Sequence, residues 1–361
     1  MACRLGLLSR QFASLSSTTI ISTPGSIVSR RMSTINALEI QSQGGPEVVS
    51  VIPISPPSLP GSKHVIIKNE YAGLNMIDTY HYGGLYPLQC PIIIGQESAG
   101  VIESVDPDVT LVKPGDRVVQ YGGGSYTEKQ LLPAERVVKL PDTITTKTAA
   151  ASYLQGLTAL TLLKEAHQVK KGDWLLVTAA AGGVGLLLCQ LGRAFGARVI
   201  AVTSTPEKCA LAKEHGAEYA LQYNKENPDA YIAEIMSVTG GHGVDGILDG
   251  VGADTWEANF SIAARKGTIA TFGNASGPVP AFAPLKLAAK NLKICRPTLF
   301  NYVTTREERE RYSKELFDLV ESGQVKINVH KEYEFSTNGM RAAFTDIKSR
   351  KTTGKLLVKI Q

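Results

Sequence analysis

A run of small residues joins two apolar segments near the middle of the chain. Residues 174–177 read WLLV, residues 178–185 read TAAAGGVG, and residues 186–196 read LLLCQLGRAFG. An apolar strand, a glycine-rich turn and an amphipathic helix, in that order, make up half of a βαβ unit. Such units build parallel sheets with helices packed on them, so this stretch constrains the fold more than any other.

The glycines of this turn predict a dinucleotide site. Aligned to the pattern GxGxxG, the three key positions are Ala180, Gly182 and Gly185. Gly182 has no side chain where a pyrophosphate must approach the backbone, and Gly185 lets the helix pack closely on the strand. With Gly183 and Val184 they form the predicted phosphate-binding turn, at a helix N-terminus whose free N–H groups attract anions. The alternative is a tight strand–helix turn that binds no ligand.

The end of the next strand indicates which dinucleotide the site prefers. An NAD site has an Asp or Glu there, which accepts a hydrogen bond from the ribose 2′-hydroxyl. Here the strand ends at Ser204 and Thr205, with no carboxylate at its end. Glu207 and Lys208 lie beyond it, in the following segment. Hydroxyls and a lysine suit a 2′-phosphate, so the sequence favours NADPH. The alternative for Lys208 is an ordinary solvated lysine.

Composition limits the remaining classes of protein. The 361 residues suit two domains, and 43% hydrophobic with 20% charged residues is ordinary for a globular protein. No apolar run reaches the roughly 18–20 residues that cross a bilayer. Residues 1–38 hold four arginines and no acidic residue, which leaves 34 basic and 33 acidic residues, too even for a polyanion-binding stripe. The five cysteines lack CxxC spacing, which argues against a disulfide framework or a cysteine-rich zinc site.

The first 32 residues have the composition of a mitochondrial transit peptide. They combine apolar residues at roughly helical spacing with arginines and serines, and they contain no acidic residue. We expect residues 1–32 to direct the protein to the mitochondrial matrix. The alternative is a disordered tail that is not cleaved, and translation from Met32 would give a cytosolic form.

The rest of the chain divides into two regions with different sequence patterns. From residue 33 to 150, short alternating segments such as HVIIKNEYAG and DRVVQYG are cut by turns, which predicts a barrel-like antiparallel β domain. The sequence KPGD at 113–116 predicts a type II turn, with Gly115 where a positive φ is needed. From 151 to 296, strand-like and helical segments alternate, which predicts a doubly wound parallel sheet and an α/β fold class.

Several motifs resemble those of a known family. AAAGGVG, KPGDRV, GQESAG and GLTAL, with the β domain first, resemble the medium-chain dehydrogenase/reductase superfamily. GLNMIDTYHYGGLYP (73–87), TFGNASG (271–277), RPTL (296–299) and TTREE (304–308) resemble its NADPH:quinone oxidoreductases, the ζ-crystallin-like branch. The likeness runs from Ile35 to Gln361. It implies a GroES-like β-barrel catalytic domain at 33–150, completed by 297–361, a Rossmann domain at 151–296, and a homodimer.

The superfamily also contains zinc-using alcohol dehydrogenases, which differ from this chain at the metal ligands. They carry an early cysteine ligand, a histidine ligand in GHE and a loop of four cysteines. This chain has Asn75 or a neighbour, Gln96 in GQE, and no cysteine cluster. An amide is a poor zinc ligand, so the comparison implies an enzyme without a metal. Acceptors that already take electrons readily, such as quinones, suit such a site.

The resemblance also implies which residues form the acceptor cleft. The candidate catalytic residues, lining the cleft beside the nicotinamide, are Asn75, Asp78, Tyr80 and Tyr86. A tyrosine hydroxyl donates a hydrogen bond and its ring stacks on a flat quinone, and Tyr80 is our first choice for orienting the acceptor. The alternative is that both tyrosines only pack. His81 matches no motif and is interpreted as a surface residue.

Other residues are implied as coenzyme contacts by their positions in family motifs. The predicted nicotinamide contacts are Thr158, Phe272, Gly273 and Asn274. Tyr223 is predicted near the adenine-side phosphate or ribose, and Arg350 in SRKTTGK is placed to reach the 2′-phosphate. The alternatives are that Phe272 belongs to the core and that Arg350 is a solvated helix end.

These features predict an NADPH-dependent quinone reductase, with the number of electrons per step left open. A second hypothesis is reduction of activated alkenes, either 2-enoyl thioesters or α,β-unsaturated ketones, because the superfamily contains mitochondrial enoyl thioester reductases. A third is a nucleotide sensor or RNA-binding protein, since some ζ-crystallin-like proteins bind AU-rich RNA. Beyond residue 38 the chain is nearly neutral, so its charge gives no support to RNA binding.

Overall fold

The part of the chain that the structure describes forms three sheets, of three, seven and six strands. The three-stranded and seven-stranded sheets are together called the first sheet system, and the six-stranded sheet is the second. The computed structural model describes residues 33–224 and 226–361, so the predicted transit peptide lies outside it. The first strands are β1 Ile35–Ile40, β2 Val51–Ile54, β3 His64–Leu74, β4 Ile92–Ile93, β5 Glu97–Val105, β6 Arg117–Tyr121, β7 Lys129–Pro133 and β8 Val137–Lys139. The later strands are β9 Trp174–Thr178, β10 Arg198–Thr203, β11 Tyr219–Gln222, β12 Val244–Asp249, β13 Ala263–Thr271, β14 Lys293–Cys295, β15 Val329–Glu334 and β16 Lys355–Lys359.

The helices lie mainly between and after these strands. They are α1 Met76–Tyr82, α2 Thr146–Thr161, α3 Gly183–Ala194, α4 Pro206–Glu214, α5 Pro228–Val238, α6 Trp256–Ile262, α7 Leu299–Tyr302, α8 Arg306–Glu321 and α9 Thr337–Lys348. A π-helical turn at Leu162–Ala166 continues α2. No helix in the described ranges is long and apolar enough to cross a bilayer.

β3 organises the first sheet system. It pairs antiparallel with β5, β7 and β16, within a sheet whose described order is β15–β16–β3–β5–β6–β8. Val65 and Ile67 of β3 are buried with Ile102 and Val118 in one apolar cluster, and Ile66 between them is buried as well. The C-terminal strand β16 thus completes a sheet that the N-terminal half begins.

The predicted turn at 113–116 is present. Gly115 has φ +90° and the N–H of Asp116 donates to the carbonyl of Lys113 at 3.0 Å. A positive φ at the third position is the mark of a type II turn.

The second sheet is parallel, as the alternation of strands and helices predicts. Its described order is β11–β10–β9–β12–β13–β14, and every pairing is parallel. All five residues of β9 are buried. Strand order reverses at β9, and ligands of such sheets bind at the carboxyl ends of the strands beside this switch point.

α2 packs between the two sheet systems. It contacts α3 on one side and β3, β5 and β6 on the other, and Ala150, Leu157 and Leu160 are fully buried in it. Its N-terminus is capped by Thr145, whose hydroxyl accepts from the N–H of Thr148. Because α2 touches both systems, residues on it can reach the coenzyme side and the acceptor side.

One helix is shorter than the sequence pattern predicts. TWEANFSIAARKG has a helical pattern throughout, yet the helix α6 ends at Ile262 and Ala263 begins β13. Ala263 pairs with Val244 of β12, so pairing in the sheet overrides the helical propensity of the two alanines.

Candidate active site

The predicted phosphate-binding turn lies at the carboxyl end of β9, where α3 begins. Gly182 is the N-cap of α3 and offers no side chain to its first turn, whereas Thr205 caps α4 and Asn227 caps α5. The first N–H groups of α3 are therefore left for an anion. Val184 in this first turn is half-buried.

The three glycines of the turn differ in how much room a side chain would have. A methyl group at Gly185 would lie 2.5 Å from the carbonyl oxygen of Ala179 and 2.6 Å from Cα of Ala180, so Gly185 allows the helix to pack on the turn. A methyl group at Gly183 would overlap the side-chain oxygen of Gln155. At Gly182 the nearest atom would be the Ala179 oxygen at 3.2 Å, which leaves open space on its outer side.

A cationic cleft lies beside the start of α4. Its volume is about 430 Å³, and it is lined by Thr205, Glu207, Lys208, Leu211, Arg350, Lys351 and Thr353. Nζ of Lys208 donates to the carbonyl of Arg350 at 2.5 Å, and burial lowers the pKa of Lys208. Three cations against the single carboxylate of Glu207 make this cleft suitable for a phosphate. Ser204 is exposed and is not one of the lining residues.

Tyr223 directly follows β11, at the carboxyl end of that strand. Its hydroxyl donates to the carbonyl of Asp254 at 2.7 Å, and its ring packs edge-on against Tyr231 with centroids 5.1 Å apart. The side chain is half-buried. Its hydroxyl is thus engaged by the protein, and its ring is the part left to meet a ligand.

The predicted nicotinamide contacts lie on α2 and after β13. Thr158 is half-buried, and its hydroxyl donates to the carbonyl of Leu154 at 2.7 Å. Phe272 packs over Gly250, where an added methyl group would lie 3.1 Å from the ring. A methyl group at Gly273 would overlap the carbonyl oxygen of Gly250. Phe272 and Gly273 therefore fit closely on the loop after β12.

Two tyrosines of the first sheet system meet the loop after β13. The N–H of Asn274 donates to the hydroxyl of Tyr80 at 3.2 Å. The amide oxygen of Asn274 faces Tyr86 and Arg296. It accepts from the hydroxyl of Tyr86 at 3.3 Å and from the guanidinium of Arg296 at 3.0 Å. The rings of Tyr80 and Tyr86 are edge-to-face with centroids 5.4 Å apart. The structure thus brings Tyr80, Tyr86 and Asn274, all named in the sequence prediction, into contact with one another.

Asp78 does not line the cleft, which corrects the sequence prediction. Its side chain is 0% exposed, and it accepts hydrogen bonds from the N–H of Asn75 at 2.9 Å and the hydroxyl of Tyr126 at 2.7 Å. It holds the first turn of α1 instead of facing a ligand. Burial raises the pKa of Asp78 to about 7, against the lowering effect of these hydrogen bonds.

Asn75 is also more buried than predicted. It is 4% exposed, and its side-chain amide forms hydrogen bonds with three other side chains. The amide nitrogen donates to Glu97, and the amide oxygen accepts from Gln155 and Lys355. It therefore lies behind the acceptor cleft as part of a polar network.

His81 is half-buried, not the surface residue that the sequence suggested. Its ring lies 6.1 Å from that of Tyr86, and Nδ1 is 3.4 Å from the amide nitrogen of Gln96. Burial lowers its pKa. The short helix α1 turns His81 inward beside Tyr82, a placement that a lone histidine in the sequence does not reveal.

Sequence reasoning missed Arg296 as a site residue, although RPTL was noted as a motif. Its guanidinium donates to the carbonyl of Thr271 at 2.7 Å, to the carbonyl of Gly273 at 3.2 Å and to the hydroxyl of Tyr86 at 3.2 Å. It thus holds the loop after β13 and places a positive charge next to the two tyrosines. The RPTL motif was the available signal, and it does not reveal which residues Arg296 contacts.

No metal-binding cluster forms within residues 33–224 and 226–361. No three His, Cys, Asp or Glu side chains come together there in a way that could hold an ion. Gln96, at the position of a histidine ligand in zinc-using relatives, is 8% exposed.

A β domain completed by the C-terminal strand, joined to a parallel sheet with a glycine turn, defines a two-domain dinucleotide-dependent reductase. A family model described as "Alcohol dehydrogenase GroES-like domain" matches residues 61–142, and one described as "Zinc-binding dehydrogenase" matches residues 183–322. The chain belongs to the medium-chain dehydrogenase/reductase family, in its zinc-independent quinone oxidoreductase branch.

Individual relatives share nearly their whole length with this chain. A probable quinone oxidoreductase of Schizosaccharomyces pombe is 42% identical over 324 residues, which cover 89% of this chain and 96% of that protein. The crystal structure of Escherichia coli quinone oxidoreductase complexed with NADPH matches with a TM-score of 0.85 at 36% identity, covering 90% of this chain and 99% of that one. A 2-haloacrylate reductase of a Burkholderia species is 34% identical, covering 90% of this chain and 98% of that protein.

Proposed function

We propose that the protein is an NADPH-dependent quinone reductase that acts without a metal ion. The observation that carries the proposal is the hydroxyl of Tyr80. It accepts from the N–H of Asn274 at 3.2 Å, so its own proton points elsewhere and can be donated to an acceptor oxygen. The quinone oxidoreductases of Schizosaccharomyces pombe and Escherichia coli support the substrate class.

The residues present fit NADPH. The uncapped first turn of α3, from Gly182 to Gly185, suits the pyrophosphate. The cleft with Lys208 and Arg350 suits the 2′-phosphate, because charge-assisted bonds to phosphate are among the strong hydrogen bonds. The Escherichia coli relative was crystallised with this coenzyme. When bound, NADPH would supply the hydride from its nicotinamide.

The remaining coenzyme contacts follow from this placement. Thr158, Phe272, Gly273 and Asn274 would hold the nicotinamide end, since Phe272 to Asn274 follow the carboxyl end of β13. Tyr223 would contact the adenine side through its ring. Thr205 acts indirectly: its hydroxyl accepts from the N–H of Lys208 at 3.3 Å and so fixes the start of the helix that carries Lys208.

The chain's own contribution to chemistry is to hold the acceptor and stabilise the charge that forms on it. A quinone that accepts a hydride becomes a hydroquinone anion, which needs a donor at its oxygen. Burial raises the pKa of Tyr80, so its hydroxyl stays protonated at neutral pH and can donate. Arg296 lies within 3.2 Å of the Tyr86 hydroxyl, and its positive charge stabilises an anion in this cleft.

The test is the oxidation of NADPH by protein that begins at Met32, with 9,10-phenanthrenequinone as acceptor. We expect quinone-dependent loss of NADPH that is indifferent to EDTA and weaker with NADH. Binding of NADPH without turnover of any acceptor would reject the proposal and favour a nucleotide sensor.

A second candidate is reduction of activated alkenes. The 2-haloacrylate reductase relative favours it, because that protein is named for an activated alkene. The two functions share the coenzyme and differ in the acceptor, so 2-chloroacrylate and a 2-enoyl-CoA should be assayed in parallel. Turnover of an alkene but not of the quinone would replace the first proposal and leave the coenzyme site unchanged.

We also propose that two copies form a homodimer through the outer edge of the parallel sheet. β14 ends this sheet in the described residues, and Leu285, shortly before it, is 82% exposed. An open strand edge beside exposed apolar surface suits pairing with a second copy. Light scattering after gel filtration should give twice the monomer mass, and Leu285→Glu should lower it. A monomeric wild type would reject the proposal.

Mitochondrial targeting by residues 1–32 is a further proposal. It is supported by their arginine-rich, acid-free composition. Residues 1–32 fused to a fluorescent protein should carry it into mitochondria, and the same fusion with the four arginines changed to glutamate should stay in the cytosol. Cytosolic fluorescence of the unchanged fusion would reject targeting.

A further inference from the structure

A charged pair lies in the core behind the acceptor cleft. Lys355 in β16 is 1% exposed and Glu97 in β5 is 0% exposed. Nζ of Lys355 donates to Oε1 of Glu97 and, at 3.0 Å, to the side-chain oxygen of Asn75. A buried ion pair is often no more stabilising than apolar residues of the same size. The burial of this pair is therefore weak evidence for a role in stability.

Asn75 connects this ion pair to α1, the helix that carries Tyr80. Its amide nitrogen donates to Glu97 at 2.8 Å and its oxygen accepts from Lys355. Asn75 is also the N-cap of α1, the helix that carries Tyr80. Holding both ends of the Asn75 amide therefore holds the beginning of α1.

Gln155 extends the same network to the coenzyme side. Its Nε2 donates to the oxygen of Asn75 at 3.2 Å. Its own oxygen occupies the space that a side chain at Gly183 would need. The second oxygen of Glu97 accepts from the N–H of Leu154 at 2.8 Å, which fixes α2 at the residue before Gln155. A continuous set of contacts thus joins β16, α1, α2 and the first residue of α3.

We infer that Lys355 is a positioning residue: by holding Asn75 against Gln155, it sets the distance between the helix that carries Tyr80 and the glycine turn. The inference rests on the proposed reduction, in which the acceptor beside Tyr80 must meet a coenzyme bound at that turn. Reactions of this kind are sensitive to placement, and an error of about 1 Å can cost about a hundredfold in rate.

The experiment compares two variants that leave no unpaired charge in the core. Lys355→Met with Glu97→Gln removes both charges, and Gln155→Leu breaks only the link to Asn75. The matched control is Lys290→Met, because Lys290 also bonds the protein through its ammonium group but contacts only the carbonyls of Phe260, Ser261 and Ala263. We measure kcat with 9,10-phenanthrenequinone, the Kd of NADPH by fluorescence, and amide hydrogen exchange of residues 76–82.

For the double variant we expect kcat to fall about tenfold or more, with the Kd of NADPH changed less than about threefold. Exchange in residues 76–82 should become faster, while exchange in β12 stays as in the wild type. Gln155→Leu should lower kcat in the same direction, and Lys290→Met should leave kcat and exchange in residues 76–82 unchanged.

Wild-type kcat and wild-type exchange of residues 76–82 in either folded variant would overturn the inference. If the double variant does not fold, Gln155→Leu decides, since it removes no charge. If the wild type does not reduce the quinone, the proposed function fails first, and faster exchange in residues 76–82 of the two variants still tests whether this network holds α1.

Discussion

The backbone N–H of Asn274 donates to the hydroxyl of Tyr80 at 3.2 Å, across the junction of the parallel sheet and the first sheet system. A backbone N–H can only donate, so this contact makes the tyrosine oxygen an acceptor and leaves its proton for another partner. Within residues 33–224 and 226–361, no protein group accepts that proton. The loop after β13 therefore orients the group that we assign to the acceptor.

Replacing Tyr80 by phenylalanine removes this donor and keeps the ring. We expect kcat with 9,10-phenanthrenequinone to fall about a hundredfold, as when one donor to a developing oxyanion is lost. The Kd of NADPH should stay the same. Tyr71→Phe is the control, since Tyr71 is a half-buried tyrosine of β3 whose ring lies near Lys147. An unchanged kcat for Tyr80→Phe would mean that the Tyr80 hydroxyl donates no hydrogen bond to the acceptor and that the residue only packs.

Lys208 and Arg350 should decide between NADPH and NADH. Removing one charged partner of a phosphate costs about 1.5–3 kcal/mol, so Lys208→Met should weaken NADPH binding by about tenfold to a hundredfold. Binding of NADH, which has no 2′-phosphate, should change little. The control is Lys213→Met, an exposed lysine at the other end of α4. Equal losses for both coenzymes would mean that Lys208 does not bind the 2′-phosphate.

Two glycines of one turn should respond to alanine in opposite ways. The methyl group of Gly185→Ala would collide with backbone atoms at 2.5 and 2.6 Å, and we expect a loss of stability of about 1–3 kcal/mol. Gly182→Ala meets only one atom at 3.2 Å, so the protein should fold normally and bind NADPH more weakly. Thermal melting and NADPH titration separate the two effects. A stable Gly185→Ala protein with normal binding would contradict the packing role.

Asp78 should make stability depend on pH. Burial raises the pKa of Asp78 to about 7 in the folded protein, from about 4 in an unfolded chain. Between these values the folded protein holds a proton that the unfolded chain lacks. The contribution of Asp78 to the free energy of unfolding is therefore present below about pH 4, and it is lost as the pH rises to about 7.

Asp78→Asn should lose this dependence, because an amide oxygen still accepts from Asn75 and Tyr126 but does not titrate. Urea unfolding at pH 5 and pH 8 measures the effect. The wild type should lose more stability than the variant between the two values. Parallel losses would show that Asp78 titrates near its ordinary pKa.

The parts of this site that could be predicted are those built from local sequence. The glycine turn is recognised from its motif, because a strand–turn–helix unit determines its own geometry. Tyr80 and Tyr86 were named from a motif that resembles the family's. Asp78 shows the limit of this reasoning. The motif that contains Tyr80 also contains Asp78, and only contacts with residues far along the chain, such as the hydrogen bond from Tyr126, decide that Asp78 is buried.

Arg296 and Lys355 could not be predicted as partners of this region for another reason. Each comes from a segment far along the chain, and its role depends on contacts with residues more than two hundred positions earlier, such as Tyr86 and Asn75. A single sequence does not reveal such pairings. Lysine is almost never fully buried unless it is paired, so the sequence gives no sign that Lys355 lies in the core.

The pairing of β16 with β3 has a consequence for how the protein is made. A ribosome delivers the parallel sheet as one uninterrupted stretch, whereas the first sheet system must wait for its last strand until the final residues emerge. During synthesis, the edge of β3 that β16 later covers stays open, and an open strand edge can pair with other chains. The part of the molecule that is translated first is thus the last to be finished, and a chain cut short by even its final strand would expose that edge permanently.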